Sequence, residues 1–349
     1  MTGRRLKVLV RPEEKWRTKI LESLKKYAFI ERRPSTETKQ VTGFVQAKNI
    51  FSAIFEEGSN EWVGGDLVWF AWRIDKAAIN AKKVKSEINK QVEKWKEENA
   101  AERCPAAVKK QIKAMVEEEA YGKAAIRTKS VEILWNIEGR YVLIGSTSES
   151  DADEIRKIFR RAFGVPLIFD APGVVEMTGE NDEIGAGEIG LDARGGYLNY
   201  LASVSDVEDD GKTKNDFELW TGPLVELGTD GKKVAVRGEG AFKSKECKQA
   251  IVAGLEVKRL ELVIVRDEAV YGAQVETDPS VFKALALPLV IGGDNEEGMQ
   301  ERAALFETWW FTMTSLGNVW RKSVEDDGNA MVKLLKKLQA WAQKGLEEK

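Results

Sequence analysis

Apolar positions along the chain follow two rhythms, alternation and helical spacing, and the switches between them divide the sequence into elements. Residues 4–10 alternate as a short strand. Pro12 and Glu13 then mark a helix start, and Trp16, Ile20, Leu24 and Tyr27 share one helical face. Strands are expected near residues 43–47 and 67–74. From 80 to 121 the character changes to two charge-dense helical patterns, 80–99 and 106–121, parted by Arg103, Cys104 and Pro105. Val84, Ile88, Val92 and Trp95 on one arm, and Val108, Ile112 and Met115 on the other, can bury little except each other. The pattern predicts an αα-hairpin that projects as a finger.

Strands resume at 131–135 and 141–145, joined through the turn residues Glu138, Gly139 and Arg140, and a helix follows to Phe163. Asp151, Asp153 and Glu154 sit at the N-terminus of that helix, where the macrodipole favours acids, so they read as a helix start and not a metal site. Beyond Pro166 the chain becomes glycine-rich and acidic to about Gly240, with a helix expected at 193–203 and short strands at 217–220 and 234–237. Strands at 257–266 and 270–277 come next. Two amphipathic helices close the chain, one carrying Ala303, Phe306, Trp310, Met313 and Trp320, the other Met331, Leu334, Leu338 and Trp341.

Charge sharpens this outline. Residues 1–165 hold 33 Lys/Arg against 24 Asp/Glu, and residues 166–349 hold 21 against 33, so the overall −3 conceals a dipolar sequence. A basic half points to a polyanion partner. Histidine is absent, which removes the usual general base and the commonest transition-metal ligand and favours binding over catalysis. Cys104 and Cys247 lack metal-ligand spacing. No apolar run approaches the ~18 residues of a membrane span, and a soluble protein of a reducing, cytoplasmic compartment is expected, with no cofactor, metal or membrane partner.

Apparent motifs weaken on inspection. Gly185, Gly187 and Gly190 spell a dinucleotide-loop pattern, but the residues before them are polar and acidic where a buried strand is needed, so a loop is the expected reading. Asp206, Glu208, Asp210 and Gly211 imitate half an EF-hand, yet the closing twelfth position is Phe217. Tryptophans 95, 310, 320 and 341 sit at helical spacing among apolar residues and are expected to pack. Trp309, next to Trp310, cannot share its face in this reading and is assigned to an interface.

The finger and its approaches, 73–129, carry 15 Lys/Arg and nine Asp/Glu. Lys123, Arg127 and Lys129 surround Ile126 in an expected exposed turn and are suited to phosphate contacts that read no bases. Lys82 and Lys83 are either part of that contact or a solvated helix face.

The ordered stretches Thr42-Gly-Phe-Val45, Ser130-Val-Glu-Ile-Leu-Trp135, Tyr141-Val-Leu-Ile-Gly-Ser-Thr147, Tyr197-Leu-Asn-Tyr-Leu201, Gly254-Leu-Glu-Val-Lys-Arg-Leu260 and Phe306-Glu-Thr-Trp-Trp-Phe-Thr-Met-Thr314 resemble the bacterial recombination-associated RdgC family. The resemblance implies an α/β fold of the α+β kind: a horseshoe-shaped monomer closing into a ring-shaped homodimer around double-stranded DNA, nucleoid-associated and limiting a RecA-type recombinase. It implies a central domain from 1–75, 130–178 and 250–349, a finger at 76–129 and an acidic base at 179–249. Lys76 matches a basic residue at the finger entrance, and Arg259, beside Lys258, matches one in the strand after Gly254. Ile126 stands where the family carries a bulky aromatic and, with Trp309, is assigned to dimer contacts. Arg73 joins the DNA-binding set. The expected function is therefore non-enzymatic, sequence-independent duplex binding; the alternatives are an acidic interaction or DNA-mimic module and a histidine-free, metal-dependent nuclease.

Overall fold

A computed structural model describes residues 1–10, 15–57, 63–170, 172, 191–205, 217–229, 231–278, 280–290 and 296–347. The fold is mixed α+β. Its strands are β1 (Gly3–Val8), β2 (Gln40–Gln46), β3 (Val63–Gly64), β4 (Leu67–Ala77), β5 (Ile126–Asn136), β6 (Tyr141–Ile144), β7 (Leu167–Phe169), β8 (Glu218–Thr229), β9 (Lys232–Arg237), β10 (Glu256–Arg266), β11 (Ala269–Glu276) and β12 (Val281–Ala286). Its helices are α1 (Trp16–Lys26), α2 (Ala81–Glu98), α3 (Ala106–Lys123), α4 (Glu149–Phe163), α5 (Leu191–Ser203), α6 (Lys245–Val252), α7 (Glu296–Asp326) and α8 (Ala330–Glu347). The glycine pattern at 185–190 and the acidic run at 206–211 lie outside the described residues, as do Pro12 and Glu13.

The chain forms two compact units that differ from the three expected parts. One comprises 13–62 and 69–133, the other 1–12, 63–68 and 134–349. The finger helices therefore belong with α1, β2 and the outer parts of β4 and β5. Residues 217–249 do not form a separate base, because Leu219, Val225, Leu227, Phe242 and Cys247 enter the same core as α7 and α8. Charge follows this division: the 13–62/69–133 unit holds 24 Lys/Arg against 18 Asp/Glu, so the excess of acid lies wholly in the other.

In the first unit β2 pairs antiparallel with β4, Phe44 opposite Trp72, and the Phe44 ring meets Phe70 and Trp72 edge-on. The helices α2 and α3 bury Val92, Ile112 and Val116 against each other, with Val84, Ile88, Trp95 and Val108 at the margin. Met115 is instead 57% exposed, one residue off the seam. In the second unit the strand order is β6-β1-β12-β11-β10-β8-β9, with β7 also on β1. Alternation along β10 and β11 sends Val257, Leu260, Leu262, Ile264, Tyr271, Ala273 and Val275 into the core. Ser148 caps α4 by accepting from the Asp151 N–H, and Gly164 ends it in the left-handed conformation at φ 69°.

Candidate nucleic-acid interface

The expected basic site assembles where the helix pair leaves and rejoins the sheet. The Ala78 N–H donates to the Ala125 carbonyl at 2.8 Å, and β4 neighbours β5, so the strand entering α2 and the strand leaving α3 lie side by side. Lys76, two residues before that bond, and Arg127, two residues after it, come level, and both are exposed. Lys129 follows on the same face of β5, since strand side chains repeat every second residue. The expected turn at 123–129 is thus a helix end followed by a strand: α3 runs to Lys123 and β5 begins at Ile126, 36% exposed. Arg127 and Lys129 occupy the part of β5 that runs beyond the buried residues Val131, Ile133 and Trp135.

Two further groups add positive charge. Lys82 and Lys83 sit in the first turn of α2, where Asn80 caps the helix by accepting from both of their N–H groups and where no acid offsets the helix dipole. Cations there oppose the macrodipole, a placement that costs roughly 0.3–1 kcal/mol each and that an anion would relieve. Arg33, which sequence reasoning missed, reaches the same place from a distant segment: its Nη2 donates 2.6 Å to the Ala124 carbonyl at the end of α3. The only signal was an Arg32-Arg33 doublet before Pro34. Lys123 is tied to Glu119, whose carboxyl is held below its ordinary range first by the hydrogen bond from Lys123 and then by its charge.

Four expected site residues are placed otherwise. Arg73 is buried: its Nε and Nη2 donate to the two Asp75 carboxylate oxygens at 2.9 and 2.7 Å, and its guanidinium lies 4.1 Å from the Phe29 ring centre and 5.1 Å from that of Phe51. It is structural, not a DNA contact. The signal was available, because residues 73 and 75 share one face of a strand. Trp309 is 2% exposed, its ring packed on Phe282, Phe306 and Trp310, and so is a core residue and not a dimer contact in this fold. Arg259 belongs to a charge ladder across five strands, Lys233–Glu226–Arg259–Glu276–Lys283, in which it bonds Glu226 at 3.1 Å and also pairs with Glu276. Lys258, beside it at a bulge in β10, pairs with Glu256 at 3.2 Å. Both belong to the unit that does not contain the finger cations.

The ladder yields a stability expectation. Glu226 is held below the ordinary carboxylate range, first by its hydrogen bond from Lys233 and then, against burial, by the charges of Arg259, Lys233 and Arg237. A lowered carboxyl contributes stability that is present above its unfolded value and lost as pH falls through its folded one. Arg259→Gln should therefore cost about 1–2 kcal/mol in urea unfolding at neutral pH. That cost should shrink at about pH 3, below the ordinary carboxylate values. Duplex affinity should stay at the native level; a loss of affinity without a loss of stability would return Arg259 to the DNA-binding set.

Among the described residues no helix is long and apolar enough to cross a membrane. Comparison with protein-family models and with curated proteins gives no match to this chain.

Proposed function

We propose that this protein is a non-enzymatic binder of double-stranded DNA that grips the phosphate backbone without reading sequence. The observation that carries the reading is the gathering of Arg33, Lys76, Lys82, Lys83, Arg127 and Lys129 from separate stretches of chain at the base of the α2–α3 pair. Lys and Arg so arranged neutralise phosphates and leave base edges unread. The finger projection, the ring-shaped homodimer with its Ile126 contact, nucleoid association and restraint of a RecA-type recombinase extend the proposal, and the family resemblance is their support.

Fluorescence anisotropy with a random duplex of about 30 base pairs tests it, between about 50 and 200 mM salt. Binding should weaken steeply with salt. The triple variant Lys76→Gln, Arg127→Gln, Lys129→Gln should lower affinity and make the log–log salt slope shallower by about 0.9 per lost phosphate contact. Absence of binding at low salt, or a slope that the triple variant leaves unchanged, overturns the reading.

A further inference from the structure

The acidic half of the chain contains a basic surface that the charge totals hide. Between Asp327 and Glu347 there is no acid, while Lys333, Lys336, Lys337 and Lys344 all lie on α8; Lys243, Lys245 and Lys248 lie on or just before α6, where Glu246 is the one acid. Helix α8 turns Leu334, Leu338 and Ala342 inward. At ~100° per residue this places Lys333, Lys337 and Lys344 within ~40° of one another, in a stripe rising ~16 Å along the helix. The stripe borders α6. Lys248 lies with its Nζ 5.2 Å from the Trp341 ring centre and 3.5 Å from the Gly345 carbonyl. The Trp341 ring in turn stacks on Phe242 at 5.1 Å and 14°, which fixes the two elements and the lysines they carry against each other.

The contrast with the finger is informative. Along α2 and α3 the lysines alternate with glutamates and form Lys96–Glu93, Lys94–Glu98, Lys113–Glu117 and Lys123–Glu119 pairs. On α8 no acid is interleaved with the lysines between Asp327 and Glu347 in sequence; Lys333 bonds Asp327 at 2.5 Å, and that hydrogen bond is the first cause holding Asp327 below its ordinary range. A straight row of cations on a rigid helix matches a linear polyanion. Its ~16 Å covers about half a turn of duplex, whose repeat is ~34 Å. Leu334, Leu338 and Ala342 of α8 are already buried in the protein, which leaves Val332, half exposed, as the large apolar side chain of this helix that a bilayer could take up.

We propose that the lysine stripe of α8, with α6 beside it, is a second contact for the phosphate backbone of duplex DNA, separate from the finger base. The proposal rests on the reading that the chain binds nucleic acid, but on different residues. Lysine acylation footprinting by mass spectrometry, on the full chain with and without a random duplex of ~30 base pairs, resolves the two sites. Lys333, Lys337 and Lys344 should be protected several-fold. Lys333→Gln, Lys337→Gln, Lys344→Gln should make the salt slope shallower by about 2–3 with the finger intact, and should remove the residual binding of the finger-base triple variant. An unchanged melting curve confirms that the variant folds. Protection at Lys76 and Lys129 without protection on α8 overturns this proposal and leaves the finger reading standing. Protection on α8 alone does the reverse, and protection nowhere overturns both. Shielding by phosphatidylserine vesicles and not by duplex also overturns it, in favour of a membrane surface.

Discussion

Gly43→Ala should destabilise the unit that carries the finger by about 3–5 kcal/mol, one of the largest single-methyl effects available in this protein. A Cβ at position 43 would come 2.3 Å from the Phe29 Cα, 2.5 Å from its N and 2.8 Å from the Ala28 carbonyl carbon. These are backbone atoms and cannot rotate away. The segment they belong to is fixed to β2 on both sides of the clash: the Phe29 N–H donates to the Phe44 carbonyl and the Phe44 N–H to the Tyr27 carbonyl, each at 2.9 Å. Admitting the methyl group means breaking those bonds and withdrawing Phe29, on which the Arg73 guanidinium lies. At roughly 4 °C per kcal/mol the melting temperature by circular dichroism should fall by ~10–20 °C. Gly122→Ala is the control, since nothing lies within 4 Å of its added Cβ near the end of α3, and it should be neutral or slightly stabilising. Equal melting temperatures for the native chain and Gly43→Ala would refute the packing of residues 27–29 on β2.

That glycine shows which parts of the fold could be read from the sequence. Thr42-Gly-Phe-Val45 is recognisable as a motif, but the reason for its glycine is a segment fourteen residues away that no local pattern reveals. Long amphipathic runs were legible: α2, α3, α7 and α8 appear close to where periodicity puts them, because each buries a continuous face. Short elements were not. Helix α6 has eight residues and is stabilised through Cys247, Ala250 and Ile251 in the common core. Strand β12 follows Pro279 and is interrupted by Ala284 at φ 49°, so its alternation is too brief to stand out.

The candidate site divides in the same way. Arg127 and Lys129 were singled out because cation density is a one-dimensional property, and Lys76 because of the family resemblance. Their meeting, and the arrival of Arg33 across 91 residues of sequence, required the strand pairing and the returning loop. The partners that occupy Arg259 are Glu226 and Glu276, 33 and 17 residues away, so its charge looked available until the sheet was assembled. The division into two units was not legible either. Two of the four passages between them fall within β4 and β5, where no linker composition can mark the crossing.

Trp309→Ala should cost about 3–5 kcal/mol in denaturant unfolding, as expected for truncation of a buried aromatic. The expectation that Trp309 faces outward rested on the ~100° between adjacent helical residues, which seemed to leave only one of Trp309 and Trp310 for the core. Helix α7 buries a wider stripe than that, running through Ala303, Phe306, Trp309, Trp310, Met313, Leu316 and Trp320, and positions three and four apart admit both indoles. Trp309 lies 5.7 Å from the ring centres of Phe282 on β12 and Phe306 on its own helix. Its removal therefore opens a cavity between sheet and helix. Phe311, on the same helix, is instead at the surface, 62% exposed, and Phe311→Ala should change stability by no more than ~0.5 kcal/mol. Urea unfolding and sedimentation equilibrium of both variants separate the two roles. A core Trp309 gives a large loss of stability at unchanged mass. A Trp309→Ala variant that kept native stability but changed the mass of the assembly would show that the indole belongs to an interface, and that the packing of α7 on β12 is not as described.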